Sequence, residues 1–124
     1  MIDPSEFIEC DDCRCAAVRR EAVRLARLYD EHLRPHGLTS NQFTLLVTLV
    51  RAGPMQMSRL AEWLGIDRTT MSRNIAVGTS RGLLRLAPGK DGRERQVALT
   101  AKGRQAAEAA LPAWRAAQVQ AMLG

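Results

Sequence analysis

Residues 84–99 break the rhythm of the sequence on either side of them, and that break limits the folds open to this chain. Leu84 and Leu86 alternate with Arg85, and Val97 and Leu99 alternate with Gln96 and Ala98. This is the two-residue period of strands with one face buried. Pro88-Gly89-Lys90-Asp91-Gly92-Arg93 lies between them and is turn-forming at almost every position. The segment reads as a two-stranded antiparallel hairpin with a basic tip. Everything around it has helical spacing. A single hairpin cannot build a sheet protein, so the expected fold is mainly α with one small β-hairpin.

The helices have readable ends. A first helix begins near Cys13, with Val18, Ala22, Leu25 and Tyr29 on one stripe and most of the arginines off it. It stops before Pro35. Thr39-Ser40-Asn41-Gln42 is a capping box, and Leu38 and Phe43 are spaced as a hydrophobic staple. The helix that follows is apolar nearly all round, which places it at the centre of a domain. Met55-Gln56-Met57 has the alternation of a very short strand. Ser58 then reads as the cap of a short helix with Leu60, Trp63 and Leu64 inward. Gly65 closes that helix, and Asp67 caps the next, whose inward side is Met71, Ile75 and Gly78. Thr100 caps a long Ala-rich last helix with Ala107, Leu111, Trp114 and Met122 along one side and Pro112 as a kink or break.

Two capped helices joined by Leu64-Gly65-Ile66-Asp67 form a helix-turn-helix pattern. With Met71, Ile75 and Gly78 inward, the front of the second helix presents Arg68, Thr69, Thr70, Ser72 and Arg73. These types can hydrogen-bond base edges and phosphates. A basic hairpin directly after such a helix can reach the flanking minor groove, where a narrow, negative channel attracts Arg. Arg93 is the residue expected to insert, with Lys90 and Arg95 near phosphates. The competing reading makes these side chains a solvated surface of an Arg-rich protein. Charge fits a polyanionic partner: the formal net charge is +5, sixteen of the eighteen basic residues are Arg, and residues 1–12 contain five acids and no Lys or Arg.

The order Leu38-Thr39, Gln42-Phe43, Leu60-Ala61, Leu64-Gly65, Arg68-Thr69-Thr70, Arg81-Gly82-Leu83, Asp91-Gly92-Arg93 and Leu99-Thr100 with Gly103 resembles the multiple-antibiotic-resistance regulator (MarR) family over roughly residues 15–120. The resemblance implies a winged helix-turn-helix regulator, a repressor or activator, that binds a near-palindromic site as a homodimer. On this reading residues 1–12 are a mobile acidic lead-in and 13–124 one domain. Residues 13–36 and 100–124 supply dimerisation helices. Residues 38–99 are the DNA-binding part, with the wing at about 84–99. The resemblance assigns Ser58 to a phosphate, Arg68, Thr69, Thr70, Ser72 and Arg73 to the major groove, and Arg93 to the minor groove. Family members usually continue with another helix after the one holding Trp114, whereas this chain ends at Gly124.

Cys10, Cys13 and Cys15 lie within six residues. Three readings stand side by side. A thiolate near Arg14 or Arg19, with Tyr29 close by, would be an oxidant switch. This is similar to the organic-hydroperoxide branch of the family, except that Arg19 stands where a second tyrosine is expected. Three thiolates could instead gather a soft metal or metalloid. In the third reading Cys15 is a small core residue and the other two are incidental. His32 and His36 read as satisfied or solvated. No Ser-His-Asp constellation, phosphate loop or zinc-hydrolase spacing is visible, so neither an enzyme nor a cofactor is expected. The acidic start lacks a basic-plus-apolar leader and the apolar runs are short, so a cytoplasmic protein without membrane contact is expected. A winged-helix protein-interaction module without DNA is the remaining alternative class.

Overall fold

The computed structural model describes residues 1–89 and 94–124. The chain is mainly helical with a small antiparallel sheet. A 3-10 helix (Pro4–Asp12) leads into α1 (Arg14–Leu33). A short 3-10 turn (Arg34–His36) connects it to α2 (Ser40–Ala52). Then follow β1 (Met55–Gln56), α3 (Met57–Leu64), α4 (Arg68–Ser80), β2 (Leu84–Ala87), β3 (Gln96–Leu99) and α5 (Ala101–Leu123). The sheet has the order β1-β3-β2. In it Leu84 faces Leu99 and Leu86 faces Val97, while Met55 pairs with Val97 from the other side. β1 therefore anchors the hairpin to the start of α3.

Local chemistry sets the helix starts. At Thr39 both halves of the capping box form: the Gln42 N–H donates to Thr39 Oγ1 at 3.2 Å and the Thr39 N–H to Gln42 Oε1 at 3.0 Å. Leu38 and Phe43, the staple pair, are both buried. Between α3 and α4, Gly65 sits at φ 66°, a left-handed conformation that costs other residues energy, and this lets the chain turn tightly. The Asp67 carboxylate caps α4, accepting the Thr70 N–H at 2.9 Å and its hydroxyl at 2.8 Å.

The core joins the five α-helices. Leu33, Leu60, Met71 and Val97 are fully buried, and Phe43 on α2 stacks on Trp114 of α5 with centroids 6.4 Å apart. Phe43, Leu45, Leu46 and Leu49 make α2 the central element. α5 reaches the sheet through Gly103. A Cβ there would lie 2.1 Å from the Leu83 carbonyl oxygen, so no side chain fits. Thr100 closes the same joint, donating its N–H to Leu83 O at 3.1 Å and its hydroxyl to Gly82 O at 2.6 Å.

Several expectations need correction. Within the acidic lead-in, residues 4–12 form a 3-10 helix that periodicity does not show: Asp3 accepts the Ser5 N–H, Pro4 opens the helix, and every residue of it is exposed. Val18 and Ala22 do not face inward, because the first half of α1 extends beyond the rest of the chain. Trp63 is 74% exposed. In a helix of only two turns, Ala61 rather than Trp63 shares the buried side with Leu60. No break occurs at Pro112, and α5 runs through it to Leu123. Its buried side is Gly103, Ala107, Ala110 and Ala117, while Met122 is exposed. No described helix is long and apolar enough to cross a membrane.

Candidate nucleic-acid interface

α4 is built to show one side and bury the other. Met71, Ile75 and Gly78 are buried, as their spacing predicts. The opposite side leaves Arg68, Thr69, Ser72 and Arg73 exposed, and together with Ala76 and Met57 they line one shallow concavity. Thr70 is half-buried, and its hydroxyl is held by Asp67. Hydrogen bonds from Thr70 hold the Asp67 carboxyl below the usual carboxylate range, the backbone N–H contributing most and the hydroxyl next. A depressed folded-state pKa stabilises the fold above the unfolded value of 3.8 and stops doing so as pH falls through the lower folded value. We therefore expect Asp67→Ala to lower the melting temperature by a few degrees at neutral pH. The gap to the unsubstituted chain should narrow in melts below about pH 3.8. A gap that stays constant on acidification would show that the carboxylate charge contributes nothing.

A second cleft, of about 660 Å³, separates α4 from the hairpin. Ser72, Ile75 and Ala76 form one wall, and Leu86, Glu94, Arg95 and Val97 the other. Arg95 thus lines the same cleft as Ser72, on its opposite wall. The predicted tip residues Lys90 and Arg93, with Asp91, lie outside the described residues.

Ser58 is not the cap of α3. Gln56 is the N-cap of α3, and Ser58 lies inside the first turn. Its hydroxyl donates to Glu94 Oε2 at 2.8 Å and its N–H to Glu94 Oε1 at 3.3 Å. The carboxylate of Glu94 thus holds the start of α3 from the base of the hairpin. Sequence reasoning missed Glu94, since nothing local links residues 36 positions apart.

The thiols match the three readings only in part: Arg19 stands beside Cys15, but Tyr29 does not, and the thiols are neither gathered nor buried. Cys10, Cys13 and Cys15 are all exposed, so Cys15 is not a core residue. Cys13 caps α1 instead, accepting the Ala16 N–H at 3.5 Å. Arg19 Nη2 lies 3.8 Å from Cys15 Sγ. Tyr29 is remote: fourteen residues along one helix separate it from Cys15 by about 21 Å, and its hydroxyl donates to Gln118 on α5. Among the described residues no three His, Cys, Asp or Glu side chains are gathered to hold a metal ion. His32 Nε2 donates to Gln120 Oε1 at 2.7 Å, which ties α1 to α5.

The family model described as MarR family matches residues 36–94, the span from the end of α1 to the base of the hairpin. The fold is also that of the regulator MosR of Mycobacterium tuberculosis, at 40% identity and a TM-score of 0.81 over 90% of this chain and 81% of that one. The chain belongs to the MarR family. A further MosR structure, in complex with DNA, is 41% identical with a TM-score of 0.82 over 91% of this chain and 83% of that one. A probable transcriptional regulator from Pseudomonas aeruginosa is 31% identical, with a TM-score of 0.81 over 91% of this chain and 85% of that one. The HTH-type transcriptional regulator YwoH of Bacillus subtilis (strain 168) is 31% identical over 83 residues, 67% of this chain. The match spans 61% of YwoH. In this MarR-family chain, α3 and α4 are the helix-turn-helix, and the β2–β3 hairpin braced by β1 is the wing.

Proposed function

We propose that this chain binds duplex DNA as a homodimer and regulates transcription, with repression as the mode. α4 enters the major groove and presents Arg68, Thr69, Ser72 and Arg73 to base edges and phosphates. The wing reaches the adjoining minor groove with Arg93, while Lys90 and Arg95 lie over phosphates. One observation carries this reading: α4 buries Met71, Ile75 and Gly78 and leaves two arginines and two hydroxyls open on its far side. A helix with that division fits a wide polar groove lined by anions. MosR, at 41% identity, was solved in complex with DNA, which supports the same partner here. Homodimer formation is supported by apolar side chains left uncovered on the two outer helices: Val18 and Val23 on α1, and Val119, Met122 and Leu123 on α5.

For the switch, Cys15 is favoured over the other thiols. It is exposed, so an oxidant can reach it, and the Arg19 guanidinium stands 3.8 Å from its sulfur. The test is an anisotropy titration against the duplex upstream of its own coding region and against a scrambled duplex of equal length. Binding should be tighter to the first, and log K should fall linearly with log salt. Equal, weak binding to both would refute a sequence-reading regulator. Peroxide should release the DNA, reductant should restore it, and Cys15→Ser should resist release. Release of that variant as readily as the parent would remove Cys15 from the switch.

A further inference from the structure

We propose that the acidic side of the N-terminal 3-10 helix of one copy docks into an arginine-lined groove along α1 of a second copy. The inference rests on the homodimer reading and names a contact within it.

The groove runs along the exposed side of α1 and encloses about 790 Å³. Arg20, Arg24 and Arg27 line it, Val23 and Leu28 give it an apolar floor, and Glu31 is the acid at its far end. Arg24 is engaged with Glu21 of its own helix at 2.6 Å. Arg20 and Arg27 make no ion pair among the described residues. At 1.5 Å per residue, the three arginines follow one another along the axis at steps of about 6 and 4.5 Å.

The 3-10 helix has a matching pattern. With three residues per turn, side chains three apart line up on one side. Glu6, Glu9 and Asp12 form such a row, and neither Lys nor Arg occurs in the segment. Its step is about 6 Å, and nine residues span about 18 Å, against about 22 Å for the groove from Ala16 to Glu31. Phe7 and Ile8, on the neighbouring sides, are 56% and 72% exposed. An acid row with adjacent apolar side chains thus meets a basic row with an apolar floor. Within one copy this contact is not made: every residue of the 3-10 helix is exposed while the groove of the same chain stays open.

Charge-swapped variants test the contact. Variant A carries Glu6→Lys, Glu9→Lys and Asp12→Lys, and variant B carries Arg20→Glu and Arg27→Glu. All five positions are exposed, so folding is checked simply by circular dichroism. Sedimentation velocity over a concentration series reads dimerisation. The parent should dimerise more weakly at about 0.5 M salt than at low salt, because screening shortens the reach of the attraction. A alone and B alone should each dimerise at least about tenfold more weakly than the parent. An equimolar mixture should recover, since the basic segment of A matches the acidic groove of B while the acidic segment of B matches the groove of A. Failure of the mixture to recover would overturn docking between copies. Parent-like dimers of both A and B would overturn it too, leaving the homodimer intact. A parent that stays monomeric at every concentration would remove the homodimer reading itself, and the contact with it.

Discussion

Gly103→Ala should destabilise the chain by about 3 kcal/mol, an overpacking cost at the upper end of the usual range, lowering the melting temperature by roughly 10 °C. Alanine is the better helix former by nearly 1 kcal/mol, so propensity alone predicts the opposite sign. The clash decides it. The added Cβ would lie 2.1 Å from the Leu83 carbonyl oxygen and 3.0 Å from its carbon. That carbonyl cannot retreat cheaply, because it accepts the Thr100 N–H at 3.1 Å and follows directly on the Gly82 turn that holds the Thr100 hydroxyl. Gly78→Ala is the useful comparison. Its Cβ would meet Leu84 Cδ1 at 2.6 Å and Cγ at 2.9 Å, side-chain atoms rather than hydrogen-bonded backbone, so its loss should be smaller. Thermal melts of the two variants decide the matter, and a Gly103→Ala chain as stable as the parent would mean that α5 and the sheet are not locked together.

The second large effect concerns recognition. Arg73→Ala should weaken binding to the cognate duplex about 10- to 100-fold, the value of one good bidentate base contact. Binding to random duplex should fall much less. Arg73 is exposed on the outward side of α4 between Ser72 and half-buried Asn74, away from the hydrogen bonds that cap the helix. Its loss should therefore leave the fold intact. Parallel titrations on cognate and scrambled DNA separate the outcomes. An equal loss on both, with a salt slope lowered by about one, would make Arg73 a phosphate contact rather than a base reader.

How much of this was legible in the sequence depended on how local each signal was. The starts of α2, α4 and α5 were readable because Thr39, Asp67 and Thr100 each bond to a backbone N–H three residues on. The buried side of α4 followed from a single period. The wing followed from the switch to alternation, and its third strand was visible only as Met55-Gln56-Met57. Failures came where a partner lay far along the chain or a helix was too short to average. Trp63 was placed inward by spacing, yet two turns leave room for only a narrow buried stripe, which Leu60 and Ala61 fill. The order in residues 4–12 was overlooked although Asp3-Pro4 is a start signal, because no apolar stripe follows it. In α1, spacing showed an apolar stripe but not that its first half projects past the other helices.

Ser58 and Glu94 raise a question of exclusive occupancy. The two hydrogens that Ser58 offers are taken by the two oxygens of one carboxylate, and a phosphodiester oxygen arriving at that spot would need the same two. They can serve one anion at a time. Any nucleic-acid strand that takes both hydrogens at the start of α3 must first evict a charge belonging to the protein, and the pairing of β1 with β3 is then left to tether the wing there.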